Sequence, residues 1–264
     1  MPSRSRASLI RGLSRRKNRD REGLFLAEGV RVVEDLLDSS IVPRLAVVSS
    51  SLEDTPRGRA LAERLGGACE LERVSDAELS ALADTQSSQG VVVAAETPRA
   101  TLADLRARPE DVVLLLDAVQ DPGNAGTLIR TADALGCVGV IVLPGTVDPW
   151  NPKVVRAASG SLFRLPIVET DPAATAEWVR AVDGSVLAGD ARGTPVHEIS
   201  IRGPVVLAVG NEGAGLSLPV ATLARTFVSI PIRGAAESLN VGIAAGILLY
   251  EVTRRLADQA AKTQ

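Results

Sequence analysis

Residues 111–136, DVVLLLDAVQDPGNAGTLIRTADALG, hold an apolar run, a tight turn and a helical pattern in immediate succession. The run VVLLL does not alternate with polar residues, as a strand buried on both faces requires, so a covered parallel sheet is predicted. Asp121, Pro122 and Gly123 read as a turn, with Asn124 as the expected cap of a helix that Gly136 ends. Downstream, VGVIVLP, SVLAGD, PVVLAVG and FVSIPI read as strands, PWNPKVVRAASG as a helix, and SLNVGIAAGILLYEVTRRLAD as a long terminal helix. This alternation predicts an α/β domain built on a parallel sheet with helices on both faces.

The first hundred residues alternate in the same way over shorter runs. GLFLAEG, RLAVVSS and QGVVVAAE are expected strands, and VRVVEDLLD an amphipathic helix. RGRALAERLG reads as a helix closed by its glycine, and SDAELSALAD as one opened by Ser75 with Glu78 three residues on. TPRATLADLRARPED is polar, holds two prolines and reads as a linker. The expected organisation is a small α/β domain over 1–97, a linker over 98–110 and a second domain over 111–264.

Composition removes several chemistries. With 45% hydrophobic and 23% charged residues the 264-residue chain is an ordinary globular protein. His197 is its one histidine, with no cysteine nearby, which argues against a serine or cysteine triad and a histidine-bound metal. Cys69 and Cys137 are far apart and form no metal or disulfide pattern, so a reducing cytoplasm is expected and no metal site. The longest apolar run, in VGIAAGILLY, is about half of what a bilayer crossing needs, and no apolar signal region follows Met1. No membrane association is expected.

The formal charge of −3 conceals an asymmetry. Residues 1–21 carry eight basic side chains, among them Arg11, Arg15, Arg16, Lys17 and Arg19, against Asp20 alone, a net of +7. The remaining residues carry −10. A basic end on an acidic body suits a polyanion, since neutralised phosphates release counterions. A solvated helix face accounts for the charge equally well, and an arginine- and serine-rich transit segment is a third reading.

Three loops fall at strand ends, where open parallel sheets bind ligands. In DPGNAGTLIRTA, a helix start with Arg130 about one and a half turns after Asn124 suits an anion, or is simply a glycine turn with a solvated arginine. In GNEGAGLS, Gly210, Gly213 and Gly215 permit close backbone approach, Glu212 places a carboxylate mid-turn, and Ser217 is the expected cap of a short helix. In IPIRGAAESLNVGIAAG, Ser238 and Asn240 precede a helix whose small residues, Gly242 to Gly246, permit tight packing. Neither a phosphate-binding Gly-Lys-Ser/Thr nor a dinucleotide G-x-G-x-x-G is present.

Together, and in this order, NAGTLIRTA, GNEGAGLS and IPIRGAAESLNV resemble the SpoU/TrmH family of RNA ribose 2′-O-methyltransferases in the SPOUT superfamily. The match runs from about residue 111 to 256, and the amino-terminal region is similar to the family's substrate-binding domain, which sets the transit reading aside. The resemblance implies a trefoil-knotted carboxyl-terminal domain that binds S-adenosylmethionine. It implies backbone contacts to the cofactor around Val209, Gly210, Asn211, Gly215, Ile230 and Leu239, and a catalytic set of Asn124, Arg130, Glu212, Ser238 and Asn240. Gly242 departs from the pattern, where a serine or another small residue is more usual. A homodimer is implied as well, and the basic segment is expected to meet the RNA through Arg11, Arg15, Arg16, Lys17 and Arg19.

The implied reaction is methylation of a ribose 2′-hydroxyl in structured RNA, expected to be 23S-type ribosomal RNA because a separate amino-terminal domain is present. A transfer-RNA enzyme, an antibiotic-resistance methylase and a non-catalytic RNA-binding or assembly protein are the alternatives. A doubly wound nucleotide-dependent enzyme lacks its fingerprint. Since a guanidinium stays protonated below a pKa of about 12, Arg130 is read as stabilising the developing alkoxide and holding the adjacent phosphate. The proton then passes to phosphate or water.

Overall fold

The computed structural model describes residues 4–82 and 89–263. Its first compact unit comprises the described residues up to Pro98 together with Asp148–Arg164, and its second Arg99–Val147 together with the described residues from Leu165 onward.

In the first unit α1 (Arg4–Gly12), α2 (Arg16–Glu22), β1 (Leu24–Glu28), α3 (Val30–Leu37), β2 (Pro43–Ser49), α4 (Pro56–Ala68), β3 (Glu70–Val74), α5 (Asp76–Leu82) and β4 (Val91–Glu96) follow in order. The sheet runs β1-β4-β2-β3, with β4 antiparallel to both neighbours and β2 parallel to β3. One face buries Leu26, Leu45, Val47, Val92 and Ala94 with Ile10 and Leu13 of the α1 region and Leu79 and Leu82 of α5. Ser75 and Glu78 form the expected reciprocal cap, Ser75 N donating to Glu78 Oε2 at 2.9 Å and Glu78 N to Ser75 Oγ at 3.3 Å. Gly66 does not close α4, which runs on to Ala68 with Cys69 as its carboxyl-terminal cap. The charged run ELERV forms β3 at the sheet edge, where outward residues stay in water, so its weak apolar pattern gave no signal.

The second unit contains β5 (Val112–Leu116), α6 (Pro122–Ala134) and β6 (Gly139–Val142). The chain then leaves for α7 (Pro152–Ala158), which packs in the first unit, and returns with β7 (Ile167–Glu169), α8 (Pro172–Ala181), β8 (Ser185–Pro195), β9 (Val205–Val209), α9 (Leu218–Leu223), β10 (Thr226–Ser229) and α10 (Val241–Thr263). Six parallel strands lie in the order β10-β8-β9-β5-β6-β7. From the edge strand β10 the chain crosses back over β8 and β9 and lays α10 against α6. The residues read as a linker are packed from Arg99 on: Leu105 is 3% exposed and joins the core of this unit.

Residues 148–164 are tied into the first unit by charge and aromatic packing. Phe25 of β1 stacks at 4.7 Å from Trp150 and 5.8 Å from Phe163. Arg156 Nη1 meets the buried Glu28 Oε2 at 3.2 Å. Arg19, expected to face RNA, is instead 4% exposed. Its guanidinium donates to the carbonyls of Leu13 and Ser14 at 2.8 and 2.9 Å and pairs with Asp148, Nε to Oδ2 at 3.1 Å. A residue of this length on the inner side of a short helix reaches the open carbonyls of the preceding turn, so it is spent inside the protein. Leaving one partner of such a pair buried and uncompensated costs about 3–5 kcal/mol. Asp148→Ala is therefore expected to lower unfolding free energy by that amount in chemical denaturation, and an unchanged midpoint would refute the pair's role.

Candidate active site

The loops after β9 and β10 meet residues 189–191 of β8 at the sheet, and the loop after β9 is bonded to Ala118 beyond β5; a crevice opens there. A cavity of about 560 Å³ opens there, the size of a small-molecule site. Val209, Gly210, Asn211, Gly215, Ile230 and Leu239 all line it, as do Glu212, Ser238 and Asn240.

Local chemistry explains the loop after β9. Asn211 and Gly215 exchange backbone hydrogen bonds at 2.9 Å in both directions, while Asn211 Oδ1 accepts from the N–H groups of Gly213 and Ala214 at 3.0 and 2.9 Å. Asn211 Nδ2 donates to the Ala118 carbonyl at 2.9 Å, anchoring the turn to the end of β5. Gly210 must be glycine, since a Cβ there would lie 2.4 Å from the Gly215 carbonyl carbon. Ser217 occupies the cap position of α9, but its side chain makes no cap bond; its N–H donates to the buried Asp117 Oδ2 at 2.6 Å. Asp117 thus holds the far end of the loop, a role the sequence reading did not assign.

Three of the expected catalytic residues form one hydrogen-bonded chain. Asn240 Nδ2 donates to Asn124 Oδ1 at 3.0 Å, and Asn124 Nδ2 donates to Glu212 Oε1 at 2.9 Å. Asn240 Oδ1 accepts from Gly242 N at 2.9 Å, capping α10 as expected. The cap of α6, in contrast, is Asp121, whose Oδ1 accepts from Asn124 N at 2.7 Å. Pro122 starts the helix, as a proline at the first position favours, which puts Asn124 inside the first turn with its amide free for the site.

Partial burial works to raise the Glu212 carboxyl, but the Asn124 amide and the backbone N–H groups of Glu212, Gln120 and Asp121 together hold it below the usual carboxylate range. It is an ionised acceptor at neutral pH.

Ser238 lines the cavity beside this chain, exposed and with no side-chain hydrogen bond among the described residues. Arg130 is not brought in. Six residues along α6 turn it about 120° away from Asn124 and carry it about 9 Å along the axis. It is exposed, outside the cavity lining, with no side-chain partner among the described residues. The face of α6 towards α10 is instead marked by Thr127 and Thr131, which sit where Cβ atoms on Gly242 and Gly246 would come within 3.3 and 3.5 Å. The contact is tight at Gly242 and of ordinary van der Waals spacing at Gly246.

Gly189 and Asp190 also line the cavity and were missed, although they end the strand read in SVLAGD, and strand ends were the signal to follow. The backbone N–H of Arg192 holds the Asp190 carboxyl below its ordinary value, with Oδ1 accepting at 2.8 Å.

Residues 111–250 match the SpoU rRNA methylase family, more than half of the chain. The chain belongs to the SpoU rRNA methylase family. Its residues 6–93 match the MRM3-like substrate binding domain. It is 36% identical over 91% of its length, and 92% of the relative's, to the 23S rRNA (guanosine(2553)-2′-O)-methyltransferase of Bacillus subtilis. It is 34% identical to the 23S rRNA (uridine(2479)-2′-O)-methyltransferase of Streptomyces viridochromogenes, covering 95% of this chain and 90% of that one. In structure it is similar to an AdoMet-bound rRNA methyltransferase from Sinorhizobium meliloti, with a TM-score of 0.87, 34% identity and 97% of each chain covered. The AdoMet complex of the SpoU methyltransferase AviRb from Streptomyces viridochromogenes also superposes at a TM-score of 0.87, with 33% identity over 96% of this chain and 98% of that one.

Because the folded-state pKa of Glu212 is depressed, its contribution to stability is present above its unfolded value near ~4.3 and is lost as pH falls through the folded value. Glu212→Gln is expected to flatten that acid limb of the stability profile while leaving the profile near neutrality parallel to wild type. An unaltered acid limb would show that the carboxylate is not held by these donors.

Proposed function

We propose that this chain transfers a methyl group from S-adenosylmethionine to a ribose 2′-hydroxyl of large-subunit ribosomal RNA. The observation that carries the reading is the Asn240–Asn124–Glu212 chain, whose Asn240 and Glu212 line a cavity walled by the second and third family loops and whose Asn124 ties in the first.

The cavity fits the cofactor. Gly210 lets the loop close against Gly215 at the edge of the cavity, Val209, Ile230 and Leu239 supply apolar walls, and Asp190, Asn211 and Ser238 supply polar atoms along one lining. When bound, S-adenosylmethionine supplies an activated methyl group, so the protein need only align, desolvate and stabilise charge. Glu212, ionised and hydrogen-bonded, is a weak base; it fixes the sense of the Asn124 amide, which in turn fixes Asn240. Asn240 and Ser238 then orient the ribose hydroxyl at the rim. Arg130, exposed and without a partner among the described residues, lies outside the cavity and is the contact for a neighbouring phosphate, with the proton passing to phosphate or water.

The active form is a homodimer. Ile243, Ile247 and Tyr250 stand one helical turn apart on α10 and are 57%, 42% and 57% exposed, an apolar stripe suited to a second copy. A cytoplasmic setting, expected from the cysteine usage, fits an rRNA substrate. Among the described residues no helix is long and apolar enough to cross a membrane.

Mapping 2′-O-methyl sites in ribosomal RNA from cells with and without the gene tests the activity: one site is expected to vanish, and an unchanged map would refute the reading. With purified protein, Arg130→Lys is expected to lower turnover at least tenfold while S-adenosylmethionine binds as before, because an ammonium cannot make the paired contact. Ile247→Lys is expected to halve the mass seen by light scattering. A wild-type monomer at micromolar concentration would overturn the dimer.

A further inference from the structure

Asp190 reaches the cavity of the second unit because β8 leaves the ladder there. Ala188 of β8 pairs with Phe227 of β10, but the next residue of β10, Val228, pairs with Thr194, so residues 189–193 are looped out between them. Such bulges re-aim side chains beside sites. The excursion is closed tightly: a Cβ on Gly193 would lie 2.5 Å from the Phe227 carbonyl carbon, and Ser229 Oγ donates to the Gly193 carbonyl at 2.7 Å. Within it Asp190 Oδ1 accepts from Arg192 N at 2.8 Å, which fixes the carboxylate on a short turn and keeps it ionised. The Arg192 guanidinium comes to 3.4 Å of the same oxygen, but its side chain is 92% exposed and water screens it. Asp190 Oδ2 accepts no hydrogen bond among the described residues.

Charge in the lining is one-sided. Among the described residues around the cavity, Asp190 and Glu212 are charged and no lysine or arginine is present. Glu212 is engaged by the Asn124 amide, whereas Asp190 keeps one oxygen open. Methyl transfer leaves the C–S electron pair on sulfur, so the sulfonium charge that enters the site is gone from the thioether that leaves it. The amino and carboxylate groups are the same in both forms and cancel from the comparison. A fixed carboxylate in a partly buried site therefore holds the charged form more strongly than the spent one. We infer that Asp190 is a specificity-determining residue, which selects S-adenosylmethionine over its neutral by-product S-adenosylhomocysteine and so favours release after each turnover. The inference rests on the methyltransferase reading above and concerns the regulation of that same cavity.

The test is calorimetric titration of the full chain with S-adenosylmethionine, S-adenosylhomocysteine and sinefungin, which carries an ammonium group where the cofactor has its sulfonium. Asp190→Asn keeps the Oδ1 acceptor for Arg192 N and removes the charge alone. It is expected to weaken S-adenosylmethionine and sinefungin about fivefold and to leave S-adenosylhomocysteine within about twofold of wild type. Asp183→Asn, an exposed carboxylate just before β8 and outside the lining, is the comparison and is expected to leave all three affinities unchanged. Equal weakening of the three ligands would place the carboxylate on the amino group they share and overturn the discrimination, as would three unchanged affinities. If Asp190→Asn bound none of them, Asp190→Glu decides: a recovered preference for the charged ligands supports the role, and no recovery overturns it. Wild-type protein that binds neither S-adenosylmethionine nor S-adenosylhomocysteine would overturn the methyltransferase reading itself.

Discussion

The side-chain amide of Asn124 joins segments that lie far apart in the chain. Its oxygen accepts from Asn240 at the start of α10, and its nitrogen donates to Glu212 in the loop after β9. An amide can serve two such partners only in one orientation, and the ionised Glu212 decides which, since a carboxylate accepts and cannot donate. Through this single group the start of α6, the glycine loop and the start of α10 are set in register. The walls of the cavity are built on the last two of those segments, so its shape depends on the same bonds.

That arrangement is possible because the sheet is parallel and its order is not sequential. With β9 between β8 and β5, the loops leaving their carboxyl ends crowd one edge, and β10 returns the chain over them. Close approach follows, which is why Gly210 has no room for a side chain and why Gly242 lies tightly against Thr127 of α6. Asp117, buried at the end of β5, pins the loop through the Ser217 N–H and so supports Glu212 at a distance. The catalytic problem is reduced accordingly: the cofactor brings the reactive group and the protein supplies fixed dipoles.

Much of this was legible from local pattern. The all-apolar runs of β5, β6 and β9 required cover on both faces, and glycine and asparagine at strand ends marked the loops that carry the site. Less was legible where local preference is weak. β3 is a charged edge strand, β7 has three residues, and α8 follows a proline with a mixed face; none of these was read. The cap of α6 was misassigned because Asp121 and Asn124 both suit that position, and only the helix start at Pro122 separates them.

The sequence by itself determined the fold class, the cavity loops and the residue types at their centre, because burial period, turn chemistry and glycine placement are local properties. Tertiary structure decided the partnerships. It turned Arg19 inward to Asp148, 129 positions away, and left Arg11 and Arg15 facing water. It sent residues 148–164 to pack with β1, and it held Arg130 apart from the amide chain that the family resemblance had implied it would join. An arginine has the same composition and charge whether it is buried or exposed, and only the neighbours brought from elsewhere in the chain distinguish a structural clamp from a side chain left in water.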